Sequence, residues 1–150
     1  MQGAPQFAAP SVVDVTSAER LVIVGGGMAA HGFCKRVIGS SQRSRFAISV
    51  FGEEPRPAYD RVNLSSLLSG RAESELLLSP RDWYEANDIE LHTGRRITRI
   101  DLDRQQIHDD RGGVESYDHL VLATGSYPWV PPISGSDSPG VFVYRTIDDL

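Results

Sequence analysis

The chain has 150 residues, 40% hydrophobic and 23% charged, with a net charge of −5. That apolar share excludes a disordered chain, and the acidic balance argues against a protein that tracks nucleic-acid phosphates. No apolar run approaches the roughly 20 residues that span a bilayer, and a single cysteine, Cys34, excludes both an internal disulfide framework and a CxxC redox pair.

Residues 1–19 are rich in Ala, Pro, Gln and Ser, without a cationic start or a continuous apolar core. They read as a mobile leader rather than a secretory signal, which makes the cytoplasm the expected compartment. An ordered domain is expected over residues 20–150. Leu21-Val22-Ile23-Val24 is an unbroken apolar run, as expected of a parallel strand buried on both faces. Gly25-Gly26-Gly27 breaks it. Apolar residues then recur at Ala29/Ala30, Phe33/Cys34 and Val37/Ile38, the spacing of one helix face, and Gly39-Ser40-Ser41 ends the helix. Residues 46–51 form a second strand. Strand, glycine turn, helix and strand within about 30 residues make a βαβ unit.

Residues 55–70 are irregular, with a short helix over 64–68. Ser79 as cap, Pro80 in the first turn and Asp82 three positions after the cap predict a helix to about Asn87, with Trp83 and Tyr84 as packing residues. Residues 89–92 read as a third strand. Residues 96–117 read as three short strands, the second and third joined by a turn at Arg111-Gly112-Gly113. Residues 119–124 form a further buried apolar strand, ended by Gly125. Pro128, Pro131 and Pro132 carry an extended exit, and residues 141–144 are a last strand candidate. His31, His92, His108 and His119 are scattered without metal-ligand spacing, and no metal site is expected.

Gly25-Gly26-Gly27-Met28-Ala29-Ala30 fits G-x-G-x-x-G/A between a strand and a helix, the context in which that pattern binds a dinucleotide. Gly25 permits the tight turn and Gly27 lets backbone approach a pyrophosphate. Ala30 lets the helix pack on the strand, and the anion lies on the helix's first amides, at Met28 and Ala29. An acidic residue is then needed at the end of the second strand for ribose hydroxyls. Glu53 stands there, 23 positions after Ala30 (53 − 30), close to the usual spacing of about 20. Glu54 is the alternative, otherwise a solvated loop carboxylate. Two carboxylates there would repel a 2′-phosphate and so disfavour NADP.

Two further stretches carry a resemblance. Ala123-Thr124-Gly125 with the prolines after it resembles the ATG-xx-P-xx-P segment of two-dinucleotide-domain flavoproteins, the pyridine nucleotide-disulfide oxidoreductase superfamily. The loop from Glu53 through Tyr59-Asp60-Arg61-Val62-Asn63-Leu64-Ser65-Ser66 resembles that of the large subunit of NAD(P)H-dependent nitrite reductases. Relatives that reduce rubredoxin and ferredoxins have a lysine where Ser66 stands, which favours the nitrite reductase branch. Ser79-Pro80-Arg81-Asp82-Trp83-Tyr84-Glu85 and Val141-Phe142-Val143-Tyr144-Arg145-Thr146 are similar to the same subunit.

This resemblance implies an α/β fold: a Rossmann-like, three-layer FAD-binding domain with a mostly parallel sheet and an antiparallel β-meander, incomplete without a C-terminal return strand. It implies FAD held at Gly25, Gly27, Met28, Ala29, Ala30 and Glu53, with Ala123, Thr124 and Gly125 against it. Ile97 would offer backbone groups to adenine, Arg61 would contact phosphate or ribityl groups, and Asn63 to Ser65 would line the flavin side. No residue is assigned a catalytic role. NAD(P)H would bind a domain not present in this chain. Partners would be the remainder of the reductase, including a sirohaem and iron–sulfur module, with self-association of the exposed sheet edge; no nucleic acid and no membrane. The expectation is the amino-terminal FAD-binding portion of a longer reductase, without turnover on its own. The alternatives are a non-catalytic dinucleotide-binding module and the FAD part of a rubredoxin or ferredoxin reductase.

Overall fold

The computed structural model describes residues 18–150, so all but the last two residues of the predicted leader lie outside the described residues. The elements among them run β1 (Glu19–Val24), α1 (Met28–Ile38), β2 (Phe46–Gly52), α2 (Arg81–Ala86), β3 (Ile89–Thr93), β4 (Ile97–Asp101), β5 (Gln106–Asp109), β6 (Val114–Ser116) and β7 (His119–Leu122).

The apolar run of β1 sits at the centre because both of its edges and both of its faces are covered. β2 and β7 pair with it in parallel, and β3 pairs in parallel beyond β2, giving the order β3-β2-β1-β7. Alternate side chains then enter different layers, as strand geometry requires. Leu21 and Ile23 pack with Ala30 and Cys34 of α1, with Ile48 and Val50 of β2, and with Tyr84 of α2. Val22 and Val24 point the other way and pack with Phe51, Ile107 and Tyr117. Ile107 belongs to the antiparallel sheet β4-β5-β6. The three layers are therefore helices, parallel sheet and meander, and the α/β class expected from the sequence is the one observed.

Local chemistry explains the meander's turns. Asp109 accepts hydrogen bonds from the Arg111 and Gly113 amides (2.9 and 2.6 Å) and pairs with Arg95. A Cβ on Gly113 would stand 2.6 Å from the Asp109 carboxylate, so glycine is required there.

Five sequence readings change in detail. β1 begins at Glu19, two residues before the predicted Leu21, because Glu19 and Arg20 pair with Phe46 and Ala47. Residues 64–69 form a 3-10 helix ended by left-handed Gly70 (φ 86°). Ser79 does not cap α2: its hydroxyl donates to the Leu78 carbonyl and meets His31 Nε2 at 2.9 Å, and Pro80 is the N-cap instead. Residues 141–144 form no strand. They pair with no described strand, and Phe142 is 81% exposed. β7 is shorter and more exposed than its apolar sequence suggests, because among the described residues it pairs only with β1. Trp83 and Tyr84 pack as expected, and burial pushes the thiol of Cys34 up to about 11.

Ile23 is fully buried between the layers. Ile23→Ala is expected to cost about 2–5 kcal/mol of folding stability, seen as a lower urea midpoint.

Candidate functional site

The carboxyl ends of β1, β2 and β7 meet in one cleft, where ligands of open α/β sheets are held. A cavity of about 530 Å³ opens there, walled by the glycine turn, the loop after β2, the start of β4 and the segment after β7. Two of the turn's three glycines bring these walls together, and the third does not. Gly25 has φ 119°, donates to the Phe51 carbonyl (2.8 Å), and leaves no room for a side chain: a Cβ would stand 2.1 Å from the Ala123 carbonyl oxygen. Gly26 lies against Gly52, with a Cβ on Gly26 reaching within 3.0 Å of the Gly52 Cα. Gly27 is different. A Cβ on it would meet nothing within 4 Å, although Gly27 lines the cavity. The fold does not need glycine there; a ligand passing over the turn would.

Gly27 is the N-cap of α1 and supplies no side-chain cap, and the first turn carries no acidic residue, while Lys35 and Arg36 stand in the last. The first amides and the positive end of the helix dipole are left to the cavity. Met28 and Ala29 line it, whereas Ala30 is buried against the sheet, the packing role expected of it.

Charge in the cavity is mostly arginine. Arg56, Arg61, Arg95, Arg96 and Arg145 line it against two carboxylates, Glu53 and Glu54. The two glutamates do different things. Glu54 is a hub rather than a solvated carboxylate: it accepts from Arg61 Nη2 (2.5 Å) and the Tyr59 hydroxyl (2.8 Å), with Arg56 Nη1 at 3.8 Å. Burial, with this carboxylate second, pushes the Tyr59 phenol up to about 12. Glu53 is more open, with Tyr127 donating to its Oε2 (2.9 Å) and Arg96 Nε at 3.9 Å. Arg56 pairs with Asp148 (2.6 Å), but its Nη1 is buried without a hydrogen-bond acceptor. Arg145 lies over the Tyr127 ring (4.9 Å) and has no carboxylate in ion-pair contact among the described residues.

Of the residues singled out from the sequence, Gly25, Gly27, Met28, Ala29, Glu53, Arg61, Ile97, Ala123, Thr124 and Gly125 converge on this cavity. Arg61 is there but committed, to Glu54 and to the Arg145 carbonyl (3.1 Å). Asn63 and Ser65 are not brought to it. Asn63 donates to Asp60 (2.6 Å) and Ser65 is exposed, because the 3-10 turn at 64–69 anchors on buried Leu64 and turns these polar side chains outward. Sequence reasoning missed Arg56, Tyr59, Arg95, Arg96, Tyr127 and Arg145 as cavity residues. The one available signal was the cation composition, with Lys35 the only lysine among 15 basic residues.

The model of the pyridine nucleotide-disulphide oxidoreductase family matches residues 19–150. The chain belongs to that family. It is 47% identical over 131 residues to the large subunit of the NADH nitrite reductase of Escherichia coli (strain K12), covering 87% of this chain and 16% of that protein. It is 44% identical over 132 residues to the assimilatory nitrate reductase electron transfer subunit of Bacillus subtilis (strain 168), covering 87% of this chain and 17% of that protein. Among solved structures, a ferredoxin reductase from Rhodopseudomonas palustris superposes with a TM-score of 0.77 at 28% identity, over 87% of this chain and 32% of that one. The chain thus spans about a sixth of the length of these two relatives. The resemblance to the large subunit of NAD(P)H-dependent nitrite reductases, read from the sequence, is met over most of the chain.

Two outcomes follow from the packing. Gly25→Ala is expected to lose about 3 kcal/mol or more through backbone collision, whereas Gly27→Ala loses no more than about 1 kcal/mol, the cap preference; urea unfolding of both variants checks the contrast. Glu54→Gln removes the charge that Arg61 and Tyr59 share, and is expected to lower stability by about 1–3 kcal/mol, read by the same measurement.

Proposed function

We propose that this chain is the FAD-binding portion of an NAD(P)H-dependent flavoprotein oxidoreductase of the nitrite reductase type. The observation that carries the reading is the bare edge of Gly27 beside the uncapped amides of α1, with the open carboxylate of Glu53 at the end of the neighbouring strand. A pyrophosphate suits the first and a ribose diol the second. Among the described residues, Arg56 Nη1 is buried without a hydrogen-bond acceptor and Arg145 has no carboxylate in ion-pair contact, and both add positive charge to the cavity of about 530 Å³. The residues present therefore fit FAD.

In this reading Gly27, Met28 and Ala29 hold the pyrophosphate, and Glu53 accepts hydrogen bonds from the ribose. Ala123, Thr124 and Gly125 form the opposite wall, and Ile97 closes the adenine side. Glu54 keeps Arg61 and Tyr59 in place without touching the cofactor. The chemistry that FAD supplies when bound is hydride acceptance and onward electron transfer, with the protein setting its position. NAD(P)H binds elsewhere in the reductase. β7, pairing only with β1 among the described residues, offers its outer edge to a returning strand. A sirohaem and iron–sulfur module is the acceptor in this reading, and the reductase is cytoplasmic. The nitrite reductase role is preferred to a ferredoxin reductase role because identity reaches 47% with the former and 34% with the ferredoxin–NAD(+) reductase subunit of Pseudomonas putida.

The test is a titration of FAD into the full chain. Since a Cβ at Gly27 meets nothing within 4 Å in the fold, Gly27→Val is expected to fold and yet lose at least ~2 kcal/mol of FAD binding. Glu53→Gln is expected to weaken binding about tenfold or more, through loss of charge-assisted hydrogen bonds. Equal dissociation constants for wild type and Gly27→Val would remove the glycine turn from the site.

A further inference from the structure

We propose that Tyr127 is a latch on Glu53 that the incoming nucleotide must release, so that the ribose carboxylate is held shut in the free protein. The proposal rests on the reading of the cavity as an FAD site. Glu53 ends one wall, at the tip of β2, and Tyr127 belongs to the facing wall, on the segment after β7. Its hydroxyl donates to Glu53 Oε2 at 2.9 Å, which ties the two walls together across the mouth. Arg145 supports the ring from one side at 4.9 Å, while the residue as a whole is 65% exposed.

Two features make this contact a latch rather than a fixed wall. The first is competition for the carboxylate. A ribose diol taken in the plane of a carboxylate uses both oxygens, and Tyr127 already takes one lone pair of Oε2 and holds its ring beside that oxygen at the mouth. The second is the tether. Gly25, Gly52 and Ala123 are fixed by backbone contacts, but the backbone of residues 124–130 makes no hydrogen bond to other described residues. Gly125 stands at φ 71° at the root of that segment. Tyr127 can therefore leave Glu53 by rotation near Gly125 without breaking the sheet. Its phenol is a neutral, single donor, weaker than the paired hydroxyls it yields to.

Tyr127→Phe keeps the ring under Arg145 and removes only the latch. Stopped-flow mixing of FAD with the full chain, wild type and variant, reads the effect. The latch predicts association faster by about three- to tenfold in Tyr127→Phe, an unchanged dissociation rate, and a dissociation constant lower by the same factor, the size of one exposed hydrogen bond to a charged group. In a Glu53→Ala background, where no latch exists, Tyr127→Phe is expected to change nothing. An unchanged or weaker affinity, a faster dissociation, or an equal gain in the Glu53→Ala background overturns the latch alone. Failure of the wild-type chain to bind FAD overturns the reading of the site and the latch with it.

Discussion

Everything at the cleft depends on how closely three pieces of backbone approach one another. Gly25 lies on the Ala123 carbonyl and Gly26 lies on Gly52, so the turn after β1 is pressed between the ends of β7 and β2. No residue with a Cβ permits either contact without displacement of backbone. This packing sets the direction in which α1 leaves the sheet, and with it the direction in which its first amides point. The same contact fixes where Glu53 stands, because Gly52 is its immediate neighbour. Gly27, one residue on, is released from these constraints and meets only open space. A single turn thus contains glycines the fold requires and one that only a ligand would require.

Electrostatics divides along a similar line. Five arginines face the cavity, yet most are held by carboxylates that belong to the fold: Arg61 by Glu54, Arg95 by Asp109, and Arg56 by Asp148. These pairs keep long cationic side chains in fixed positions, which lowers the ordering cost when an anion arrives. What remains for a ligand is small and local: the amides of α1, the Nη1 of Arg56, and Arg145 over Tyr127. Glu53 and Glu54 follow the end of β2 at Gly52 and divide in role, one open to the cleft and one enclosed by Tyr59 and Arg61.

What was legible in the sequence is what local geometry dictates. The run at residues 21–24, the glycine turn, the helix face through Cys34 and the second strand each follow from spacing within a few residues, and together they locate the cleft. The turn at Arg111-Gly112-Gly113 was legible for the same reason. Contacts between distant segments were not. Nothing in the spacing tells that Gly26 meets Gly52, that Arg56 reaches Asp148 across 92 positions, or that Ser79 turns away from its helix to meet His31. Residues 141–144 show the converse error. Their apolar pattern suits a strand, but a strand forms only where it pairs, and these residues pair with no described strand. Asn63 and Ser65 lie outside the cavity lining because the loop's resemblance gives its residue types and not the direction of its 3-10 turn.

The loop wall and the facing wall also differ in how firmly they are held, and that difference bears on how the cleft works. The loop after β2 has no strand or α-helix of its own, yet it is tied at many points. Asp60 and Leu78 donate to Leu76 and Ala58 (2.8 and 2.9 Å), and Tyr59, Leu64 and Leu76 enclose Ile147 from the last turn of the described chain. The Ile147 amide donates to the Tyr59 hydroxyl (3.3 Å), and Asp149 accepts from the Arg145 and Thr146 amides. A wall braced in this way resists movement even though it is built from loop. Across the cleft, the backbone of residues 124–130 makes no hydrogen bond to other described residues, and Tyr127 holds Glu53 by its hydroxyl alone. The side that holds Tyr127 is thus the less firmly tied, while the side that holds Glu54, Tyr59 and Arg61 is the better braced template. A site that needs both a defined charge pattern and a way in is served by keeping these two properties on opposite walls.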